Sequence, residues 1–397
     1  MVSMLFLNAC SSGKDEMITY NLGNVGAFAE IVNAGVKDLA LSSPMTPEEM
    51  DEFMPLAQDV AARHNVEVYR ESELIVTELF PADVAKDKEV LLLYQGQTLN
   101  RYQKLKEEKA KANGDAEKER DSSRRFGRLL SYSPRKINRL LAANTDYRTM
   151  DDFGIQATNV FLYYKDLPRA TRFYRDVLGL DLLTEYDNAS IFLITNGAYL
   201  ICVDAAKGMH SGDEPKSVAL ALLTDQLPEW YAHVQANKVP IKYTYKPREG
   251  GPHDGFVAID PEGYLLEFEQ FKPHKENEPF ASILANNPRT PTSIEANGES
   301  LSFYGAITWL YHKDVLGMQN FWEDVMGLEL AADQGWTKIY RATDGGYIGL
   351  VDERRGMNKY ADEKAVTVSF FMKDLQGWFN YVKKHDTFEL RNGQLNR

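Results

Sequence analysis

The hydrophobic positions between residues 153 and 272 follow one pattern twice. An alternating run at 159–164 is followed by Asp166, a good helix N-cap, and by apolar residues at helical spacing as far as Gly179. Two further apolar runs flank Asn196-Gly197, a pair typical of a tight hairpin. A strand, a helix and a hairpin then repeat this order at 218–223, 227–236 and 255–271. The pattern predicts two βαβββ halves.

The same pattern returns farther along the chain without a gap. Residues 157–237 align with residues 305–385 at a constant offset of 148, for example 313 minus 165 for two Lys-Asp pairs. The same offset joins Asp176-Val177 to Asp324-Val325, Gly179-Leu180 to Gly327-Leu328, and Gly208-Met209 to Gly356-Met357. Chance does not keep such register, so we predict two copies of one domain. We place them at 153–272 and 301–397, with a linker rich in Pro and Asn at 273–300.

The second copy is expected to be incomplete in this sequence. Glu267 lies in the last strand of the first copy, and its counterpart would fall at about 415 (267 plus 148). The predicted last hairpin of the second copy is therefore missing, which would leave an open strand edge.

The first third of the chain predicts different structures. Residues 17–103 predict a small α/β domain with a helix that starts in a capping box, Thr46-Pro47-Glu48-Glu49. The strand candidates in this domain are 36–41, 66–69, 74–79 and 90–94. Residues 104–152 are rich in charge and predict a helical linker.

Composition narrows the class of protein. The chain has 397 residues, 44% of them hydrophobic, and a formal net charge of −13. These values predict a globular protein of several domains and disfavour nucleic acid as a partner, because phosphate binding requires a positive field. The two cysteines, Cys10 and Cys202, do not support a disulfide framework.

The N-terminus carries a candidate lipidation site. The run Leu7-Asn8-Ala9-Cys10 follows apolar residues and resembles a bacterial lipobox, in which the cysteine is acylated. Residues 1–16 are then a lipoprotein signal and tether. This predicts a lipid-anchored protein of the bacterial cell envelope, on the periplasmic or outer membrane face, that touches membrane only through its anchor. The alternative is a hydrophobic N-terminus with a chance cysteine.

Two motifs of the first copy resemble a known superfamily. Residues 173–180, Phe-Tyr-Arg-Asp-Val-Leu-Gly-Leu, look like the end of the opening motif of a vicinal oxygen chelate domain, and residues 260–267, Asp-Pro-Glu-Gly-Tyr-Leu-Leu-Glu, look like its closing hairpin. Glyoxalase I, bleomycin-resistance proteins and extradiol dioxygenases belong to this group. The resemblance implies an α+β fold, with tandem βαβββ modules forming curved mixed sheets around a cavity, preceded here by the small α/β domain.

The resemblance also implies a divalent metal that acts as a Lewis acid, held by residues of the first strand of each half and of the last strand. These positions match Asn159, Ser217 and Glu267 in copy one, and Ile307 and Ala365 in copy two. Only Glu267 is a strong ligand type, which puts metal catalysis in doubt. Two loop histidines, His210 and His253, are candidate bases or replacement ligands.

Strand alternation identifies candidate cavity residues. In copy one it places Phe161, Tyr163 and Glu269 on faces that match the ligand positions, and copy two offers Trp309 and Tyr311. Glu267 and Glu269 share a face, so burial of both would raise one carboxyl pKa through repulsion. The alternative is that the aromatic residues only fill the sheet.

Three functions remain open at this point. The first is a lyase or dioxygenase-like enzyme that acts on a small organic molecule in the cavity of the first domain, with a degenerate metal site. The second is a metal-free ligand-binding protein like the bleomycin-resistance branch, and the third is a scaffold. The expected partner is a small molecule, and the tandem domains suggest a pseudo-dimer or a homo-oligomer.

Overall fold

The computed structural model describes residues 3–111, 114–385 and 389–395, with side chains from residue 16 onward except at 117. The Cys10 side chain, and with it the predicted lipidation site, lies outside this description. No helix in the described part of the chain is long and apolar enough to cross a membrane. The chain divides into two units, Met1–Tyr147 and Arg148–Arg397.

A three-stranded antiparallel sheet forms the centre of the first unit. Its order is β1-β3-β2, with β1 at Leu39–Leu41, β2 at Glu67–Glu71 and β3 at Val90–Tyr94. Every residue of β3 is buried, because helices cover both of its faces. The helices are α1 (Ser3–Asn33), α2 (Pro47–Ala62), α3 (Thr98–Ala110), α4 (Ala116–Leu129) and α5 (Pro134–Asn144).

Two features of this unit test the sequence predictions directly. The capping box is confirmed: the Glu49 N–H donates to Thr46 Oγ1, and Glu49 Oε2 accepts from the Thr46 N–H. The predicted strand at 74–79 is wrong. That segment is irregular, and its backbone is held by side chains, since the Ile75 N–H donates to the Tyr102 hydroxyl.

The structure also differs from the predicted charged linker at 104–152. Residues 104–147 belong to the first unit. Leu105, Phe126 and Leu141 of the three charged helices are buried in one core with Leu92 of β3. The helices carry narrow apolar stripes, and the charges pair along their outer faces, as in the 2.8 Å contact between Lys109 and Glu119.

The second unit contains four successive βαβ-type segments, here numbered segments 1 to 4. Segment 1 comprises β4 (Ile155–Tyr164), α6 (Leu167–Arg172), β5 (Asp181–Tyr186), β6 (Ala189–Thr195) and β7 (Ala198–Asp204). Segment 2 comprises β8 (Val218–Leu223), α7 (Leu227–Ala236), β9 (Ile241–Tyr243), β10 (His253–Ile259) and β11 (Leu265–Phe271).

Segment 3 repeats segment 1, and segment 4 repeats the start of segment 2. Segment 3 comprises β14 (Gly305–His312), α9 (Val315–Asn320), β15 (Glu329–Asp333), β16 (Thr337–Arg341) and β17 (Gly346–Asp352). Segment 4 comprises β18 (Val366–Met372) and α10 (Leu375–Val382). The π turns after α6 and α9 start at Phe173 and Phe321, which are separated by the repeat offset of 148 (321 minus 173).

The sheets join segments of different copies. An eight-stranded sheet, β15-β16-β17-β14-β8-β11-β10-β9, combines segments 2 and 3 through antiparallel pairing of β8 with β14. A five-stranded sheet, β18-β4-β7-β6-β5, combines segments 1 and 4 through antiparallel pairing of β4 with β18. The predicted α+β fold with curved mixed sheets is confirmed, while the predicted boundaries at 272 and 301 do not separate one sheet from the other.

The predicted linker at 273–300 is largely structured. It contains a short 3-10 helix (Lys275–Asn277), helix α8 (Phe280–Ala285) and strand β12 (Thr290–Ala296), which pairs with β13 (Glu299–Phe303). Phe280 is fully buried against Phe271 and Tyr347, with ring centroids 4.9 and 5.0 Å away. The segment therefore covers one end of the eight-stranded sheet.

Candidate functional site

A cavity opens on one face of the eight-stranded sheet, where segments 2 and 3 meet. Its space not filled by atoms is about 510 Å³, part of it open to solvent. Strand β11 supplies Glu267 and Glu269, and strand β14 supplies Trp309 and Tyr311. The cavity is thus built from both copies, and not from the first domain alone as the sequence predicts.

Small side chains near the centre of the sheet make the space. In β8, Ala221 lies beside Glu267 and Ala219 lies beside Trp309. In β17 the neighbour of Trp309 is Gly349, and a Cβ there would overlap the indole ring. Because these positions lack bulk, the indole and the carboxyl chains lie where larger residues would otherwise fill the sheet.

The two cavity carboxyls are poorly solvated. Glu269 is 4% exposed, and its Oε2 has no hydrogen-bond partner. Burial raises the pKa of Glu267 to about 7. Burial and repulsion from Glu267 raise the pKa of Glu269 far above its ordinary value. The Trp309 indole lies close enough to oppose the rise in the pKa of Glu267, although its N–H does not reach hydrogen-bond geometry.

The mouth of the cavity carries polar and flexible residues. His253 lies at the exposed start of β10, and the protein around it lowers the pKa of its imidazole. Arg355 is exposed and places its guanidinium 4.6 Å from the ring centre of Trp336. Met357 follows in the same loop. The mouth is therefore more polar than the interior.

Several predicted site residues lie on the other sheet. Asn159, Phe161 and Tyr163 belong to β4. Asn159 Nδ2 donates to Ser369 Oγ at 3.0 Å, and the Tyr163 hydroxyl contacts Thr367 Oγ1 at 2.8 Å.

His210 also belongs to this other group. Its Nδ1 lies 2.7 Å from Glu214, and its ring packs on Tyr163 with centroids 5.0 Å apart. Asn159 and His210 therefore do not lie with Glu267 and His253. Strand exchange between the copies separates the set, and only Glu267 and His253 line the cavity.

The donor set does not fit a divalent metal. Of the positions that the resemblance implies, the eight-stranded sheet holds Glu267 and the apolar Ile307. Ser217 lies immediately before β8, and its hydroxyl donates to the Lys359 carbonyl. Within the described residues, no group of three or more His, Cys, Asp or Glu side chains is arranged to hold a metal ion. A three-ligand site of the expected kind is therefore not supported by these residues.

The sequence did not identify Trp336, Arg355 and Met357 as cavity residues. The repeat gives no signal for Trp336, because the equivalent residue in the first copy is Asn188. A signal did exist for Met357, since Gly356-Met357 repeats Gly208-Met209.

Comparisons with known proteins agree with the fold. A model of the Glyoxalase/Bleomycin resistance protein/Dioxygenase superfamily matches residues 155–268. Among curated proteins, no sequence matches the chain significantly.

The chain is also similar to several solved structures, with little sequence in common. Glyoxalase I from Zea mays is 14% identical, with 59% of this chain and 80% of that one covered and a TM-score of 0.42. Lactoylglutathione lyase from Agrobacterium tumefaciens is 20% identical over 29% of this chain and 96% of that one, with a TM-score of 0.25. A glyoxalase/bleomycin resistance protein/dioxygenase from Alicyclobacillus acidocaldarius is 23% identical over 28% and 89%, with a TM-score of 0.24.

Proposed function

Since residues 155–268 form a domain of the glyoxalase/bleomycin resistance/dioxygenase superfamily, we propose that this chain binds a small organic molecule in the cavity between segments 2 and 3. The observation that carries the proposal is an aromatic-walled cavity with two carboxyls inside it. Ligand sites have this character, mostly apolar with a few convergent polar groups.

The oxygen of Glu269 that has no hydrogen-bond partner supports the proposal that the cavity binds a ligand. Buried polar atoms are nearly always hydrogen-bonded, and leaving one without a partner costs about 1–3 kcal/mol. Glu269 Oε2 is an atom of this kind at the cavity wall. A ligand that bonds to this carboxyl would supply the partner.

Proton transfer by Glu267 is a second candidate function. Burial raises the pKa of this carboxyl to about 7, near the value that suits a general acid or base at neutral pH. The predicted lyase or dioxygenase-like chemistry relies on a metal, and the donor set here does not fit one. Binding without a metal is therefore the function that the geometry favours, with proton transfer as its catalytic extension.

A thermal unfolding screen tests the proposal. We expect some members of a panel of small organic molecules to raise the unfolding temperature of the natural chain. The variant Met357→Trp places an indole in the cavity mouth and should lose this response. Met209→Trp is the matched control, because Met209 is the exposed repeat counterpart of Met357 in the five-stranded half of the unit.

Two outcomes would contradict the proposal. One is a panel in which no compound shifts the unfolding temperature. The other is a shift that persists unchanged in Met357→Trp, which would place the bound compound elsewhere on the chain.

A further inference from the structure

We propose that the ligand of this cavity is an organic cation, a protonated amine whose charged group lies against Glu267 and Glu269 and whose apolar body packs on Trp309 and Trp336. The inference rests on the proposed function and names the class of ligand. It follows from the neighbours of the carboxyls, the aromatic walls and the positions of the other charged groups.

The strands beside the carboxyls offer them no side-chain donor. Glu267 lies between Ala221 of β8 and Val257 of β10. Glu269 lies between Leu223 and Gly255 in the same way. The Trp309 indole of β14 lies near Glu267 without reaching hydrogen-bond geometry, and Glu269 Oε2 has no partner. A bound ammonium group supplies both the charge and the hydrogen bonds that the strands lack.

The aromatic walls suit a cation as well. Trp309 is 7% exposed and Tyr311 1% exposed, and both line the cavity beside the carboxyls. Trp336 at the mouth already holds a cation, since the Arg355 guanidinium lies 4.6 Å from its ring centre. Indole faces attract cations through the ring quadrupole.

The remaining polar lining argues against the other charge classes. Arg355 is the permanently cationic residue among the side chains that line the cavity, and it is exposed at the mouth. His253 is also at the mouth, and burial lowers the pKa of its ring, which favours the neutral form. An anionic ligand would meet two carboxyls inside. A neutral ligand without a donor would leave Glu269 Oε2 unpartnered.

Calorimetric titration of the full chain with three probes of similar shape tests this class. The probes are 2-phenylethylammonium, the neutral 2-phenylethanol and the anionic 3-phenylpropanoate. We expect the ammonium to bind at least about tenfold more tightly than the alcohol and the anion most weakly.

The variant Glu269→Gln should weaken ammonium binding by about tenfold or more, while alcohol binding stays within about twofold. Glu185→Gln, at an exposed position of β5, is the matched control and should bind like the natural chain. The comparison of the three probes needs no variant, so it tests the inference even if a substitution disturbs folding.

The outcomes separate this inference from the function on which it rests. Equal binding of ammonium and alcohol would overturn the cation class and leave small-molecule binding intact. Failure of the ammonium to bind would overturn the cation class as well. Failure of every compound in the thermal screen would overturn both proposals.

Discussion

The pH dependence of stability of the second unit tests the buried carboxyls directly. Replacing Glu267 by Gln keeps the shape of the side chain and removes its titration. Burial raises the pKa of Glu267 from 4.5 to about 7. A folded state that holds this carboxyl should therefore bind a proton more readily than the unfolded chain does.

The sign and size of the effect follow from that shift. Because the pKa of this acid is raised in the folded state, the contribution of Glu267 to stability is fully present below pH ~4.5 and is lost as the pH rises toward ~7. At about 1.4 kcal/mol for each tenfold change, a rise from 4.5 to about 7 corresponds to about 3 kcal/mol. Repulsion on Glu269 acts in the same direction.

Urea unfolding followed by tryptophan fluorescence is the appropriate assay. All five tryptophans, between Trp230 and Trp378, belong to the second unit, so the signal reports on that unit alone. Between pH 5 and pH 8, the natural chain should lose most of the ~3 kcal/mol relative to Glu267→Gln. The exposed control Glu185→Gln should follow the natural chain.

A buried histidine makes stability depend on pH in the opposite direction to Glu267. The natural chain must therefore be compared with the Glu267 variant at each pH. Burial lowers the pKa of His312 to about 4, so its contribution to stability is present above the unfolded value near 6.5 and is lost as the pH falls toward 4. The difference between the natural chain and Glu267→Gln cancels this term. Parallel curves for the two proteins from pH 5 to 8 would refute the assignment of the raised pKa to Glu267.

Three further predictions concern other parts of the chain. Gly349→Ala should lower the free energy of unfolding in urea by about 1–3 kcal/mol, because the new Cβ would overlap Trp309. Gly251→Ala, where a Cβ has room, should change it by less than about 0.5 kcal/mol. Equal values for the two variants would contradict the close approach of Gly349 to Trp309. His312→Phe removes a buried nitrogen without a partner and should abolish the loss of stability that His312 causes as the pH falls from 6.5 to 5. If the variant keeps this loss, His312 is not its source. Cys10→Ala, made in a bacterial host, should move the protein from the membrane to the soluble fraction, and retention in the membrane would contradict the predicted lipid anchor.

The internal repeat made much of the second unit predictable. Helices α6 and α9 start at Leu167 and Val315, and strands β7 and β17 start at Ala198 and Gly346, each pair at the offset of 148 found in the sequence (315 minus 167, 346 minus 198). These elements depend on local patterns, namely an N-cap, a helical stripe and alternation. Such patterns survive in any arrangement of the sheets.

The pairing of the segments was not predictable from these patterns. Strand β8 is buried on both faces, and its apolar run is equally compatible with β4 or with β14 as its neighbour. The structure pairs it with β14. Because nothing in one strand's sequence specifies which copy supplies its partner, the predicted site combined residues of two separate sheets.

The candidate site shows the same division between local and long-range information. Alternation along β11 correctly placed Glu267 and Glu269 on one face, and the prediction that burial of both would raise a carboxyl pKa is consistent with the structure. Trp336 and Arg355 were missed because the cavity was assigned to the first copy. They enter only through the pairing of β8 with β14.

One matched pair of positions shows how the two copies came to differ at the cavity. In the first copy, Phe161 of β4 lies beside Ile201 of β7. The equivalent pair in the second copy is Trp309 beside Gly349. The larger ring accompanies the smaller neighbour, because a Cβ at Gly349 would overlap the Trp309 indole. The exchange also brings an indole beside the carboxyls of β11. A phenyl ring beside an isoleucine, as in the first copy, would offer a cation less aromatic surface. The copies therefore diverged where one supplies the acidic groups and the other supplies the aromatic wall.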